Sequence, residues 1–175
     1  MPHRVLLMIS SMRGGGSEQQ TLTLLRHLDR ARFTPHLYLT ERAGDLLPRV
    51  PADVPVHSFD QERGEPGIYF PGRAMRQQVA HVRSVLKEHA IEVIYDRTFH
   101  MTMIAGPASR ASAGMARVPR VSTIVSPPEH AVPLVESRFV GLKRRRLSKA
   151  YRESSSVVAV SRQAAESAER YYWLP

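Results

Sequence analysis

Three consecutive glycines, Gly14, Gly15 and Gly16, follow Arg13 and precede Ser17 and Glu18. Residues without a Cβ let a ligand come against the backbone, and the amides left unpaired at the start of a helix favour an anion such as phosphate. Arg13 adds a positive charge beside them. The spacing argues against two familiar phosphate sites. A dinucleotide fingerprint needs glycine at its first, third and sixth places, and counting from Gly14 the sixth is Gln19; no Lys-Ser or Lys-Thr pair follows, as a nucleotide-hydrolase loop requires. NAD and ATP therefore lose support, and a plain turn is the structural alternative for the same glycines.

The other groups able to do chemistry also follow apolar runs. Asp96, Arg97, Thr98, Phe99 and His100 come after "IEVIY", Ser126, Glu129 and His130 after "RVSTIV", and Ser161 and Arg162 close and follow "SVVAVS". His100 and His130 can change charge near neutral pH, which suits a catalytic role; the alternative for each is a surface or structural histidine. Asp96 and Arg97 read either as substrate contacts at a strand end or as a local ion pair.

Hydrophobic patterning supplies the elements that must position these residues. Residues 4–10, "RVLLMIS", form a nearly unbroken apolar run of the kind a strand buried on both faces carries in a parallel sheet. "SEQQ" fits a capping box of Ser17 and Gln20, and Leu22, Leu25 and Leu28 continue at helical spacing. Short strands are expected over 36–40, 54–59, 91–95, 120–125 and 156–161. Helices are expected over 73–89, over 101–113 despite Pro107, over 142–153 and over 162–172. Residues 64–72, "GEPGIYFPG", are expected to be the most mobile loop. The alternation predicts an α/β fold, one doubly wound, mainly parallel, Rossmann-like sheet, in which ligands bind beyond the carboxyl ends of the strands. All the groups above converge on that edge.

The chain of 175 residues, 42% of them hydrophobic, suits one domain with a genuine core. It contains no cysteine, so disulfides, thiolate zinc sites and cysteine nucleophiles are excluded; any metal would need histidines and carboxylates, and neither a metal site nor a cofactor is expected. No long apolar span and no leader are visible, so a cytoplasmic protein is the expectation. The net charge of +9 favours an anionic partner. Lys143, Arg144, Arg145 and Arg146 concentrate that charge beside Phe139, Val140 and Leu142. This segment reads as a solvated helix face or as a peripheral contact with an anionic membrane. Nucleic acid is the least favoured partner, since only 7% of residues are aromatic and no recognition module is present.

The order and spacing of "RVLLMISSMRGGGSEQQTLTLLRHLD", "VIYDRTFHMTMIAG", "ARVPRVSTIVSP" and "SSSVVAVSRQAAESAERYYWLP" resemble the N-terminal half of a GT-B glycosyltransferase of family four. The resemblance spans nearly the whole chain. It implies the acceptor-side domain, residues 1–175, of a two-domain, retaining hexosyltransferase that moves a sugar from a nucleotide-sugar co-substrate to an acceptor, lipid-linked or cell-envelope related, with a C-terminal donor-binding domain outside this sequence. The fragment alone is then expected to be inactive. By the same resemblance Gly14, Gly15 and Gly16 lie against a donor pyrophosphate or acceptor phosphate, with Arg13, Ser17 and Glu18 beside them, and Asp96, Arg97, Ser126 and Glu129 complete the candidate substrate-binding set. The family often carries a histidine after the fifth strand, a place that here falls on Val125 or Ser126; His100 and His130 are the substitutes on offer. A non-enzymatic anion-binding module using the same loop and basic surface remains the second reading.

Overall fold

The computed structural model describes residues 1–62, 72–135 and 140–175. The expected loop over 64–72 lies outside them save for Gly72, as does Phe139. Six strands, β1 (His3–Ile9), β2 (Phe33–Leu39), β3 (Val56–Ser58), β4 (Val93–Arg97), β5 (Arg120–Ile124) and β6 (Ser156–Ala159), form one parallel sheet in the order β3-β2-β1-β4-β5-β6. Between them run α1 (Gly16–His27), α2 (Phe59–Glu62), α3 (Arg73–Glu88), α4 (Phe99–Ala108), α5 (Pro128–Val135) and α6 (Val140–Arg152), and α7 (Arg162–Tyr172) follows β6. The expected Rossmann-like α/β architecture is therefore present. Strand order reverses between β1 and β4, which opens a crevice above their carboxyl ends.

The apolar run of β1 is unbroken because both faces of the strand are covered. Val5, Leu7 and Ile9 pack with Leu22 and Leu25 of α1 and with Leu37 and Leu39 of β2. Leu6 and Met8 point the other way, to Val82, Val85 and Leu86 of α3 and to Met101, Ile104 and Ala105 of α4. A third cluster joins Ile124, Val132, Leu147, Tyr151, Ala164, Ala168 and Tyr172. Because α4 lies wedged between α3 and α6, it is buried nearly all round and shows no polar stripe. Pro107 falls in its last turn, where it removes only the bond that an amide there would make to the Met103 carbonyl.

Several boundaries differ from the sequence reading, each for a local reason. β4 begins two residues late because the α3 exit takes up Ala90 and Ile91: Ala90 adopts the left-handed conformation (φ 46°), and the Ile91 amide returns 3.0 Å to the Leu86 carbonyl in a Schellman-type closure. β6 ends at Ala159 because the Ser161 hydroxyl caps α7, accepting from the Ala164 amide at 3.2 Å. Helix α5 went unforeseen, since "SPPEH" reads as loop; Pro128 is instead its first residue, where a missing amide costs nothing. Gly44, which no motif marks, is fixed by φ +117° and by a backbone approach so close that a Cβ would lie 2.1 Å from the Met12 carbonyl carbon. The Met12 amide and carbonyl bond to Ala43 and Leu46, so this loop anchors the run from β1 into the glycines.

Candidate functional site

Helix α1 starts two residues earlier than the capping box would have it. Gly15 is the N-cap, with no side-chain cap, and Ser17 lies inside the helix, where its carbonyl accepts from the Thr21 hydroxyl at 2.9 Å. The expected pairing of Ser17 with Gln20 is therefore replaced by a bare backbone start. The first helical bond runs from the Gln19 amide to the Gly15 carbonyl at 3.0 Å, so the amides of Gly16, Ser17 and Glu18 precede the helical ladder and have no helical partner among the described residues.

The three glycines are not equivalent. Gly14 takes φ +109°, which side chains rarely adopt. A Cβ on Gly15 would meet the Glu18 carboxylate at 2.6 Å, so Glu18 folds back over the N-cap, where a negative charge favours the helix dipole. A Cβ on Gly16 would meet nothing within 4 Å. Gly16, Ser17 and Gln20 line an open cleft of about 690 Å³ together with Arg97, Val125 and Val160.

Arg97 gives the cleft its chemistry. It is 6% exposed, Nη1 donates to the Tyr95 hydroxyl at 3.0 Å, and Nε has no partner among the described residues. A buried guanidinium without a carboxylate is costly unless an anion completes it. The next residue, Thr98, holds φ 74° at the N-cap of α4, with its buried hydroxyl also unpartnered. Strain of this kind in a β-branched residue marks a backbone held in place by its surroundings. The rim carries opposing charge too: Arg13 is drawn to Glu41 in an exposed ion pair, and Glu18 stands beside the helix start. The cleft thus sets backbone amides and Arg97 side by side, with Arg13 already engaged by Glu41.

Asp96 is not part of this cleft. Strand alternation turns it to the opposite face, where it is 0% exposed and bonds Arg120 at 3.0 Å, Ser122 at 2.8 Å and Thr102 at 2.6 Å. The two readings of Asp96, as a substrate contact or as the partner of Arg97 in a local ion pair, both give way to a buried pair between Asp96 and Arg120, a residue that no sequence signal distinguished. Burial pushes the Asp96 carboxyl up, against the pull of Arg120 and the two hydroxyls.

The histidines separate as well. His100 sits in the first turn of α4, not in a loop; burial, and then the charge of Lys143, holds its pKa below the ordinary histidine value. It does not line the cleft. Glu129 and His130 stand on the first turn of α5, with Glu129 3.4 Å from Arg170 and the His130 side chain 78% exposed. Val125, where the resemblance puts a histidine, does line the cleft, whereas Ser126 follows it in the bend ahead of α5 and is not among the lining residues.

The basic segment is divided between two tasks. The Arg144 guanidinium lies 4.5 Å from the ring centre of Tyr171 and 4.0 Å from that of Trp173, and Nε donates to the Tyr171 carbonyl at 2.5 Å. It fastens α6 to α7. Arg145 and Arg146 are exposed, Lys143 is half-buried, Leu142 is 50% exposed, and Val140 packs against the third core cluster. No helix among the described residues is long and apolar enough to cross a membrane.

A parallel sheet with a topological switch, and an uncapped helix start facing a buried arginine there, defines a Rossmann-like domain with an open cleft at the carboxyl edge of its strands. The chain belongs to Glycosyltransferase Family 4, whose model matches residues 14–175. No curated protein matches it. Solved structures share the fold: the lipopolysaccharide outer core galactosyltransferase WaaB (10% identity, 97% of this chain and 42% of that one, TM-score 0.65), sucrose-phosphate synthase from Thermosynechococcus elongatus (11%, 97% and 45%, 0.69) and MurG of Acinetobacter baumannii (14%, 93% and 43%, 0.59). The chain spans less than half the length of each, and its fold is that of an N-terminal GT-B domain.

Proposed function

We propose that this chain is the acceptor-side domain of a glycosyltransferase that moves a hexose from a nucleotide-sugar to an acceptor with retention, working with a C-terminal donor-binding domain across the cleft. The observation that carries the reading is the meeting of the α1 amides at Gly16, Ser17 and Glu18, which precede the helical ladder, with the buried Arg97, which has no carboxylate partner among the described residues. That pair would hold a donor pyrophosphate or an acceptor phosphate and offset charge as the leaving diphosphate departs. With Val125 where the family often has a histidine, the domain supplies orientation and charge rather than a proton at that place.

The test uses the complete protein with a panel of UDP-, GDP- and ADP-sugars, following binding calorimetrically and nucleotide release enzymatically. One donor class bound, with its nucleoside diphosphate released only when acceptor is present, supports the reading, and the anomeric configuration of the product checks retention. Failure to bind any nucleotide-sugar, with inorganic phosphate still bound, would leave the non-enzymatic anion-binding module standing.

A lipid-linked acceptor and a peripheral seat on the inner membrane face form the finer part of the proposal. A groove of about 450 Å³ between α3, α4 and α6 sets Arg76, Arg110, Arg146 and Lys149 around an apolar floor including Met75, Val79 and Met103. Cations over an apolar floor suit a lipid phosphate. Liposome sedimentation at low and high salt, with Arg145→Glu/Arg146→Glu, tests it; Arg144 must be left intact because it holds α7. If wild type ignores acidic liposomes at low salt, the basic face is merely solvated.

A further inference from the structure

On the α3 face of the sheet, three imidazoles from three separate elements converge: His36 in the middle of β2, His57 in β3, and His89 at the C-cap of α3. One ring nitrogen from each lies within 4.8 Å of the others, and His36 Nδ1 is 3.0 Å from His57 Nε2. We propose that His36, His57 and His89 bind one divalent first-row transition-metal ion, zinc being the representative, as a clamp tying edge strand β3 and the end of α3 to β2.

Imidazole is the preferred ligand of zinc, copper and nickel, and the absence of cysteine leaves histidine as the chain's only such donor. Nitrogens at about 2.0–2.1 Å from a tetrahedral ion stand about 3.3–3.4 Å apart. The closest pair here needs to open by a few tenths of an ångström, and the others to draw in by at most about 1.4 Å. His36 and His57 are 6% and 8% exposed, which fixes two ligands, while the partly exposed His89 can adjust and leaves a fourth position for water. The rings already sit with centroids 4.4 to 5.4 Å apart. Burial, then the neighbouring His89 and Arg4, lowers the His36 pKa, the direction that favours the neutral ring a metal ion requires.

Arg4 is the main adverse charge. Its Nε is held 2.9 Å from the Ala90 carbonyl, and the nearby Glu92 carboxylate accepts the Arg4 amide at 2.9 Å. Simple packing of stacked histidines is the competing account, and it predicts no metal affinity. His89 leads toward β4 at the amino edge of the sheet, away from the glycine cleft at the carboxyl edge, so this inference does not rest on the sugar-transfer reading.

The test takes the 175-residue chain without a histidine tag, strips it with chelator, and titrates it with ZnSO4 by calorimetry and with CoCl2 by visible absorption. Expected are one ion per chain, a tetrahedral cobalt band, and a Tm raised by about 5 to 10 °C at a hundredfold excess over Kd. His57→Asn and His89→Gln should each weaken binding at least about tenfold, while the exposed His27→Gln changes nothing. Should His57→Asn fail to fold, the surface-accessible His89→Gln decides alone. Absence of zinc binding at 100 µM added metal, or binding that survives His89→Gln undiminished, overturns the proposal.

Discussion

Two arginines, both almost wholly buried, leave adjacent strands of the same sheet and meet opposite fates. Arg120 finds Asp96, Ser122 and the Ala150 carbonyl on the α6 side. Arg97, on the α1 side, finds among the described residues only the Tyr95 hydroxyl and the open cleft. Neither can shed its proton. A buried cation with its carboxylate supplied by the fold is part of the structure; one without it is the place where the proposed function puts an anion. Burial alone would not have told them apart.

The comparison is tested most severely at Arg120. Arg120→Met should cost about 3–5 kcal/mol of stability by leaving the buried Asp96 carboxyl without its cation, and Asp96→Asn added to it should recover part of that loss. Urea denaturation of the two variants reads both numbers. Arg97→Gln should do the reverse: stability within about 1 kcal/mol of wild type, and nucleotide-sugar or pyrophosphate affinity in the complete protein down at least about tenfold. A stability loss at Arg97 as large as that at Arg120 would erase the distinction.

The glycines sharpen it further. Gly16→Leu projects into open cleft space and should reduce ligand binding strongly while leaving folding intact. Gly15→Leu instead displaces Glu18 and should register mainly as about 1 kcal/mol or less of helix-start stability. Parallel calorimetry and thermal melts separate the two.

His100 extends the comparison to a group that can escape burial by losing charge. Its pKa is lowered in the folded chain, so below the unfolded value near 6.5 the unfolded state binds more protons. Its contribution is therefore whole above about pH 6.5 and is lost as pH falls toward the folded pKa. His36 is also lowered and adds its own share. His100→Gln should flatten, without abolishing, the fall in Tm between about pH 7 and pH 5; an unchanged slope would mean that His100 titrates normally. The same variant should leave ligand affinity nearly unchanged, since the ring does not line the cleft.

Periodicity and punctuation were enough for the sheet, its parallel sense and most of the helices, because continuous apolar runs such as 4–10 can exist only with both faces covered. The glycine loop and the convergence of groups on one sheet edge were legible for the same reason: the carboxyl end of a strand is a position in the sequence. Facing is harder to read. Asp96 and Arg97 are neighbours in the chain and point to opposite sides of the sheet, so that one meets Arg120 and the other the cleft. Arg144 looks like its neighbours Arg145 and Arg146 until α7 delivers Tyr171 and Trp173 against it. His36, His57 and His89 share no motif, because their spacing is set by strand pairing and by where α3 ends. The sequence by itself determined the elements and the place of the glycine loop; only the tertiary structure decided which charges are paired within the fold and which face the cleft, since pairing depends on which residues distant in the chain come to share one face.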